Sequence, residues 1–510
     1  MNKFVIVLTI ALGLQAYAAE YLVKYRNQSG ISAVHTLSRS RTPLLTVMDT
    51  HPQGSLILVN VSEKNKVRAI TELLGNPDVE YVVPNFELKS FSTAPIDAQN
   101  LREQWAMSKV QAEKAWQRAG NKGKRDIVVA VIDTGVDYKH KALAPNMVPG
   151  YDFARNDDDP MDQTSAQNPG HGTHCAGVVG ATGLVSGGII GMSPDVSMMP
   201  IRFLDERGSG DLNNGIKAID FAIEKGAHII SASWGAEVPE STAAPLLEAV
   251  KRATDKGIIF VVAAGNSSKS NDKAGFYPAN APYANVINVA ASNANDGKPS
   301  WSNFGRKNVH VSSPGENIMS TLPSDKYGNL SGTSMATPLV AGLVAFLKAQ
   351  DPSLTGTQIR ALLQTTGTKA NIETACNCRV DAFAAVDHLM AKKPWIFPAA
   401  ATLAANDTLQ LNVMNMGRDV TYTSSNPAAV TVDASGVVKA VANGTAKITA
   451  QDSAGASAST LDINVGAASS NPGNPGNPGE PGDPSECPLG DPQLCEIACQ
   501  ILPDAPWCQK

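Results

Sequence analysis

The chain is 510 residues long, with 43% hydrophobic residues, 17% charged residues and a formal net charge of −5. That length calls for more than one domain, and the composition is that of a globular protein. The mildly acidic balance, with no long Lys/Arg block, argues against nucleic acid or an anionic membrane surface as the partner.

The N-terminus reads as an export signal. Lys3 supplies the positive charge, "FVIVLTIALGL" (4–14) the apolar stretch, and "AYA" (16–18) the small-x-small cleavage site. The run is too short for a transmembrane anchor. Residues 1–18 are therefore expected to be a signal peptide, removed after Ala18, and the protein to be secreted into the medium, the cell surface or the periplasm. No later stretch is long and apolar enough to span a bilayer.

Residues 19–97 form a first unit with α+β signals. "YLVKY" (21–25), "SLILVNV" (55–61) and "VEYVVPNFELKS" (79–90) read as strands, and "SEKNKVRAITELLGN" (62–76) as an amphipathic helix capped by Ser62. Between 98 and 393 the pattern alternates. The short apolar runs "IVVAVID" (127–133), "VSMMPIRFL" (196–204), "HIISASW" (228–234), "GIIFVVAAGN" (257–266) and "VINVAAS" (286–292) are strands. Helical stretches at 210–226 and 243–257 separate some of them, which predicts an α/β fold with a mostly parallel sheet covered on both faces. "SMATPLVAGLVAFLKAQ" (334–350) predicts a central buried helix. Residues 397–467 turn to strand and turn signals and predict a small all-β sandwich. "NPGNPGNPGEPGDP" (471–484) marks a Pro/Gly linker over 468–485, and 486–510 is a Cys-rich end.

There are seven cysteines. Cys487, Cys495, Cys499 and Cys508 cluster at the end, a pattern that in an exported chain means disulfides, with three pairings open. Zinc ranks below that reading, because no CxxC or nearby histidine accompanies them. Cys376 and Cys378 can bond to each other only through a tight loop.

"GTSMATP" (332–338) places Ser334 at a helix start. Serine is a nucleophile only with a base, and the base needs an orienting carboxylate. "VVAVIDTGVD" (128–137) puts Asp133 at the carboxyl end of a buried strand, where open α/β sheets gather functional groups. "GHGTHCAG" (170–177) puts His171 between glycines. The chain order Asp, His, Ser matches one of the convergent triad orders. Singly, Asp133 reads as a strand-ending turn residue and His171 as a structural histidine; together, in order, they do not.

"DTGVD", "GHGTHCAG" and "SGTSMATPLVAG" resemble the motifs of the subtilisin-like serine proteases, and "HCAG" resembles the branch of proteinase K and thermitase. The resemblance implies the family's three-layer fold over about 98–393. It also implies Asp133 as orienter, His171 as general base and acid, Ser334 as nucleophile, and Asn266 of "AAGN" as oxyanion donor. His174 resembles the family's second, non-catalytic histidine, and Cys175 reads as a small buried neighbour of the site. "ERGSGD" (206–211) and "SASWGA" (231–236) resemble the segments that flank substrate as strands. Gly208, Ser209 and Gly210 then bind substrate backbone, and Ser233, Trp234 and Gly235 line the primary pocket with Ala263, Ala264 and Gly265. Backbone recognition of that kind implies broad specificity. Phe276 stands where family pocket floors are often small; a ring there would favour small or medium side chains before the cut, and the equal alternative is that the ring turns into the core.

"DFARNDDDPMD" (152–162) resembles a family calcium loop, with Asp152, Asp157 and Asp159 at ligand positions. Arg155 departs from that pattern, and a second family ligand position is Ala142. No cofactor is required for the chemistry; structural calcium at this loop is the expectation weighed against a solvated acidic loop. The first unit resembles the family propeptide, a folding assistant and intramolecular inhibitor, with cleavage expected near 91–98. The sandwich resembles bacterial Ig-like domains. The leading expectation is a monomeric, autoprocessed, secreted serine endopeptidase acting on proteins and peptides; the alternative is a non-catalytic adhesion protein on a protease scaffold.

Overall fold

The computed structural model describes residues 20–39, 43–51, 53, 55–90, 93–96 and 104–466. The expected signal peptide, the Pro/Gly linker and the four clustered cysteines lie outside the described residues. So do parts of the expected cleavage region, at 91–92 and 97–98. Among the described residues no helix is long and apolar enough to cross a membrane. The chain divides into two compact units, one holding residues up to Glu87 with Asp211–Asn213, the other holding Leu88–Gly210 and Asn214 onward.

The first unit carries an antiparallel sheet in the order Thr46–His51, Leu56–Asn60, Glu20–Tyr25, Val79–Pro84. Leu22, Val23, Ile57, Val59, Val82 and Val83 are buried, as are Ile70 and Leu73 of the helix Lys66–Leu74. Three details correct the sequence reading. A helix spans Gln28–Arg39 and a strand Thr46–His51, neither of which was expected. Ser62 caps a 3₁₀ turn, Glu63–Asn65, without a side-chain hydrogen bond, and the α-helix starts at Lys66. The run 79–90 splits into strands Val79–Pro84 and Glu87–Ser90 at its proline, which has no N–H for a ladder.

The second unit is built on a nine-stranded sheet. Its order is Thr368–Lys369, Cys378–Arg379, Val311–Pro314, Val286–Ser292, Ile259–Ala263, Ile229–Ala232, Val128–Asp133, Ser197–Arg202, Tyr151–Asp152. Every neighbouring pair is parallel except the first. Val128–Asp133 is the earliest of these strands in the chain, yet it lies between Ser197–Arg202 and Ile229–Ala232. The winding therefore reverses beside it, and such switch points open a crevice at the carboxyl ends of the strands. Strand residues are buried on both faces, as a parallel sheet covered by helices requires. The helix Thr333–Gln350 is buried along all but its last residue; with no polar face, it can only be a core element.

Residues 395–465 fold as short paired strands around Ile396, Leu403, Leu411, Val430, Val438, Ile448 and Ile463. This is the all-β unit expected at 397–467. Cys376 and Cys378, left open by the sequence, form a disulfide.

Candidate active site

Asp133 ends its strand at the switch point, 1% exposed, and its Oδ1 lies 2.6 Å from His171 Nδ1. His171 is the first residue of the helix His171–Gly180. The helix comes this close because its second position is glycine: a Cβ on Gly172 would stand 2.1 Å from Gly135 O and 3.0 Å from Asp133 Cβ. Burial works against the imidazolium, but the Asp133 carboxylate outweighs it and holds His171 well above the ordinary histidine range. The other ring nitrogen, Nε2, is buried and has no hydrogen-bond partner among the described residues.

Ser334 is the second residue of its helix, a position whose N–H has no intrahelical acceptor. Its Oγ donates to Ser233 O at 3.1 Å, and Ser233 Oγ donates back to Ser334 O at 3.0 Å. Cys175 joins the two helices, its Sγ 4.0 Å from His171 Nδ1 and 3.4 Å from Ser334 O. Burial pushes its thiol pKa up, so it stays protonated and packs rather than reacts. His174 faces away: its Nε2 lies 2.8 Å from Ile318 O and 3.1 Å from Gly328 O, and burial drives its pKa down to about 3. With Nε2–H donated to those two backbone carbonyls, it is bound into the fold as a structural histidine.

Asn266 is held by its oxygen. Its Oδ1 accepts from Thr333 N at 3.0 Å and Thr333 Oγ1 at 2.9 Å. An amide so anchored has Nδ2 as its donor end.

The sequence missed the clamp behind the pair. Asp162 is buried; its Oδ1 accepts from Thr134 Oγ1 at 2.9 Å, and its Oδ2 from Thr173 N at 2.9 Å and Thr173 Oγ1 at 2.6 Å. Burial lifts its pKa to about 6 against those bonds. Asn168 Oδ1 accepts from Gly170 N and His171 N at 3.0 and 2.7 Å. Together they tie the loop after Asp133 to the helix that carries His171. The turn residues of "NPGHG" were the available signal for Asn168; Asp162 was hidden in a run of acids.

The expected substrate segments do flank an extended strand, and that strand is the chain's own. Ser90 lies opposite Trp234 and Lys89 opposite Gly235, antiparallel, while Ser90 N donates to Gly208 O at 2.9 Å. Trp234 contributes only backbone here. Its indole turns inward, donating from Nε1 to Ile132 O at 2.8 Å and stacking edge-on with Phe203. Ala263 and Ala264 are fully buried, and Gly265 adopts φ +105°. The buried Phe276 ring packs against that glycine: a Cβ there would meet Phe276 Cε1 at 2.6 Å.

The acidic loop does not assemble a calcium cage. Asp152 Oδ2 pairs with the buried Arg202 at 2.6 Å, and its Oδ1 accepts from the N–H groups of Ala154 and Arg155. Asp157 Oδ1 caps Asp159 N, and Asp159 Oδ1 accepts from Tyr138 OH. Arg155 bonds Gln163. Among the described residues, the one group of three close ligand-type side chains is Asp133, His171 and Cys175. Asp152, the buried member of the expected set, is taken by Arg202 and two N–H groups, while Asp157 and Asp159 are exposed and accept one hydrogen bond each, so the three do not come together as one group of ligands.

A switch-point crevice holding an aspartate–histidine pair beside a helix-start serine places the chain in the class of serine endopeptidases. The subtilase family model matches residues 124–380, and a bacterial Ig-like domain (group 2) model matches 396–463. Thermitase of Thermoactinomyces vulgaris is 40% identical over 54% of this chain and 92% of that protein. The thermophilic serine proteinase of Bacillus sp. (strain AK1) is 39% identical over 61% and 73%. M-protease of Shouchella clausii is 34% identical over 71% and 89%. Fervidolysin of Fervidobacterium pennivorans, a keratinolytic enzyme, superposes with a TM-score of 0.60 at 22% identity over 85% of this chain and 70% of its own, a likeness of fold alone. The chain belongs to the subtilase family and carries a bacterial Ig-like domain after its peptidase region.

Proposed function

We propose that the protein is a secreted endopeptidase, made as an autoprocessed zymogen, in which Ser334 is the nucleophile, His171 the general base and acid, and Asp133 the orienting carboxylate. The observation that carries the assignment is the 2.6 Å contact between His171 Nδ1 and Asp133, with Nε2 left to receive a proton. Ser334 Oγ attacks the scissile carbonyl as Nε2 takes its proton, and Asp133 fixes the tautomer and stabilises the imidazolium. The oxyanion forms against Asn266 Nδ2 and the Ser334 N–H, donors already fixed in place. His171 then protonates the leaving amine, and water completes the cycle.

The same reading makes 19–97 a propeptide. Residues 88–90 run between the segments expected to hold substrate backbone, which supports inhibition by occupation of the cleft. Recognition by main-chain pairing supports broad specificity. The chemistry needs no cofactor, and the enzyme acts as a monomer. The test is casein hydrolysis by purified wild type and Ser334→Ala. Wild type should release fragments and lose its N-terminal unit, and the variant should do neither. Equal activity in both would refute the assignment of Ser334.

A further inference from the structure

We infer that Asp162 is a positioning residue for catalysis: its buried carboxylate holds the helix that carries His171 in place against Asp133, and without it turnover falls while substrate binding does not. The inference rests on the roles proposed for Asp133, His171 and Ser334.

The helix His171–Gly180 is preceded by Gly170, which has no side chain to cap it. Four N–H groups at such a start lack an intrahelical acceptor. Each finds one in the same small cluster. Gly170 N and His171 N donate to Asn168 Oδ1 at 3.0 and 2.7 Å, Gly172 N to Thr134 Oγ1 at 2.9 Å, and Thr173 N to Asp162 Oδ2 at 2.9 Å. Asp162 joins the three acceptors. Its Oδ1 accepts from Thr134 Oγ1 at 2.9 Å and from Asn168 Nδ2 at 3.4 Å, and its Oδ2 accepts also from Thr173 Oγ1 at 2.6 Å. The link then reaches the orienting carboxylate. Thr134 N donates at 2.7 Å to Asp133 Oδ1, the same oxygen that faces His171 Nδ1.

The ionised form is what sets this geometry. A carboxylate only accepts, so it fixes the direction of both hydroxyls. Thr134 Oγ1 donates to Asp162 and is left to accept from Gly172 N; Thr173 Oγ1 donates to Asp162 and accepts from Asp137 N at 2.9 Å. Asp162 is 5% exposed and has no cation paired to it among the described residues. A buried carboxylate without a counter-ion costs stability. A structural cap needs only a neutral acceptor, and Asn168 supplies one two N–H groups away. Perturbed carboxylates of this kind gather where chemistry is positioned.

The experiment measures peptide-anilide hydrolysis and melting temperature for wild type, Asp162→Asn, Thr134→Ser and Thr134→Val. It uses protein freed of its first unit, by limited trypsin digestion where a variant keeps it. In Asp162→Asn the amide oxygen stays on Thr173 N, which cannot turn, so the new NH₂ meets the Thr134 hydroxyl and breaks that arm. A displacement near 1 Å at a reacting group costs on the order of 10² in rate, so Asp162→Asn should lower kcat by that order, with KM changed less than about threefold. Thr134→Val should do the same, and Thr134→Ser, which keeps the hydroxyl, should stay within about threefold of wild type. The far-downfield proton between His171 Nδ1 and Asp133, followed by ¹H NMR in the full-length Ser334→Ala chain, should move with Asp162→Asn and not with Thr134→Ser. Variants that melt lower yet keep the wild-type kcat and proton signal would make Asp162 a structural cap and overturn the inference, with the peptidase reading intact. If Asp162→Asn does not fold, the two Thr134 variants decide by the same criteria. A folded wild type that hydrolyses the anilide no faster than Ser334→Ala overturns the peptidase reading and this inference with it.

Discussion

Replacing Asn266 tests the oxyanion assignment most sharply, because the structure separates the two ends of its amide. Oδ1 is committed to Thr333 N and Oγ1, and Nδ2 is the end proposed to meet charge developing on the substrate. A donor that strengthens in the transition state lowers kcat when lost and leaves KM nearly alone. Loss of the oxyanion asparagine in a subtilisin costs on the order of 10²–10³ in kcat, or about 2.7–4 kcal/mol, a figure from a family member and not from this chain's own geometry. Asn266→Ala should show that fall, with KM changed less than about threefold. It also strands two buried donors on Thr333, at about 1–3 kcal/mol of stability. Asn266→Asp separates the effects: it keeps the acceptor for Thr333 but replaces the donor with an anionic oxygen. Its kcat should fall at least as far, with a melting temperature closer to wild type. The assay is peptide-anilide kinetics on protein freed of its first unit, with a melting curve for each variant. A kcat loss below about tenfold, or one expressed wholly in KM, would refute the reasoning.

Three further outcomes follow. Catalysis needs neutral His171, and its pKa is held well above the ordinary range, so the acid limb of kcat/KM should lie on the alkaline side of pH 6.5. Asp133→Asn should move the limb down and lower kcat by about 10⁴; a limb near pH 5 in wild type would contradict the pairing. Arg202 and Asp152 form a buried ion pair, 1% and 0% exposed, so Arg202→Met should destabilise the protein by about 3–5 kcal/mol, read by thermal denaturation; a loss under 1 kcal/mol would place the pair in solvent. Asp157→Asn should leave the calcium dependence of the melting temperature as in wild type, because Asp152, the buried ligand expected beside it, is committed to Arg202; a calcium response abolished by that change would restore the ion to this loop.

Much of the fold was legible because parallel strands buried on both faces leave near-continuous apolar runs. "VVAVID", "IFVVA" and "VINVAAS" could be little else. The helix Gln28–Arg39 was not legible: it contains a glycine and has no acid in its first turn. The strand Thr46–His51 buries one residue of six, so it has no strong apolar face to read. At the candidate site, Asp133, His171, Ser334 and Asn266 were legible as candidates through their motifs. Asp162 was not, because a carboxylate that anchors Thr134 and Thr173 looks in sequence like its solvated neighbours. Trp234 was expected in the pocket, yet an indole with a buried carbonyl to satisfy turns inward.

The most direct measurement is covalent labelling with a serine-directed fluorophosphonate, read by intact mass and peptide mapping, on mature wild type and on His171→Ala. The account predicts one adduct, on Ser334, formed in wild type and suppressed by several orders of magnitude without the base. A folded wild type freed of its first unit that takes no label, or one that labels equally fast without His171, would contradict the triad.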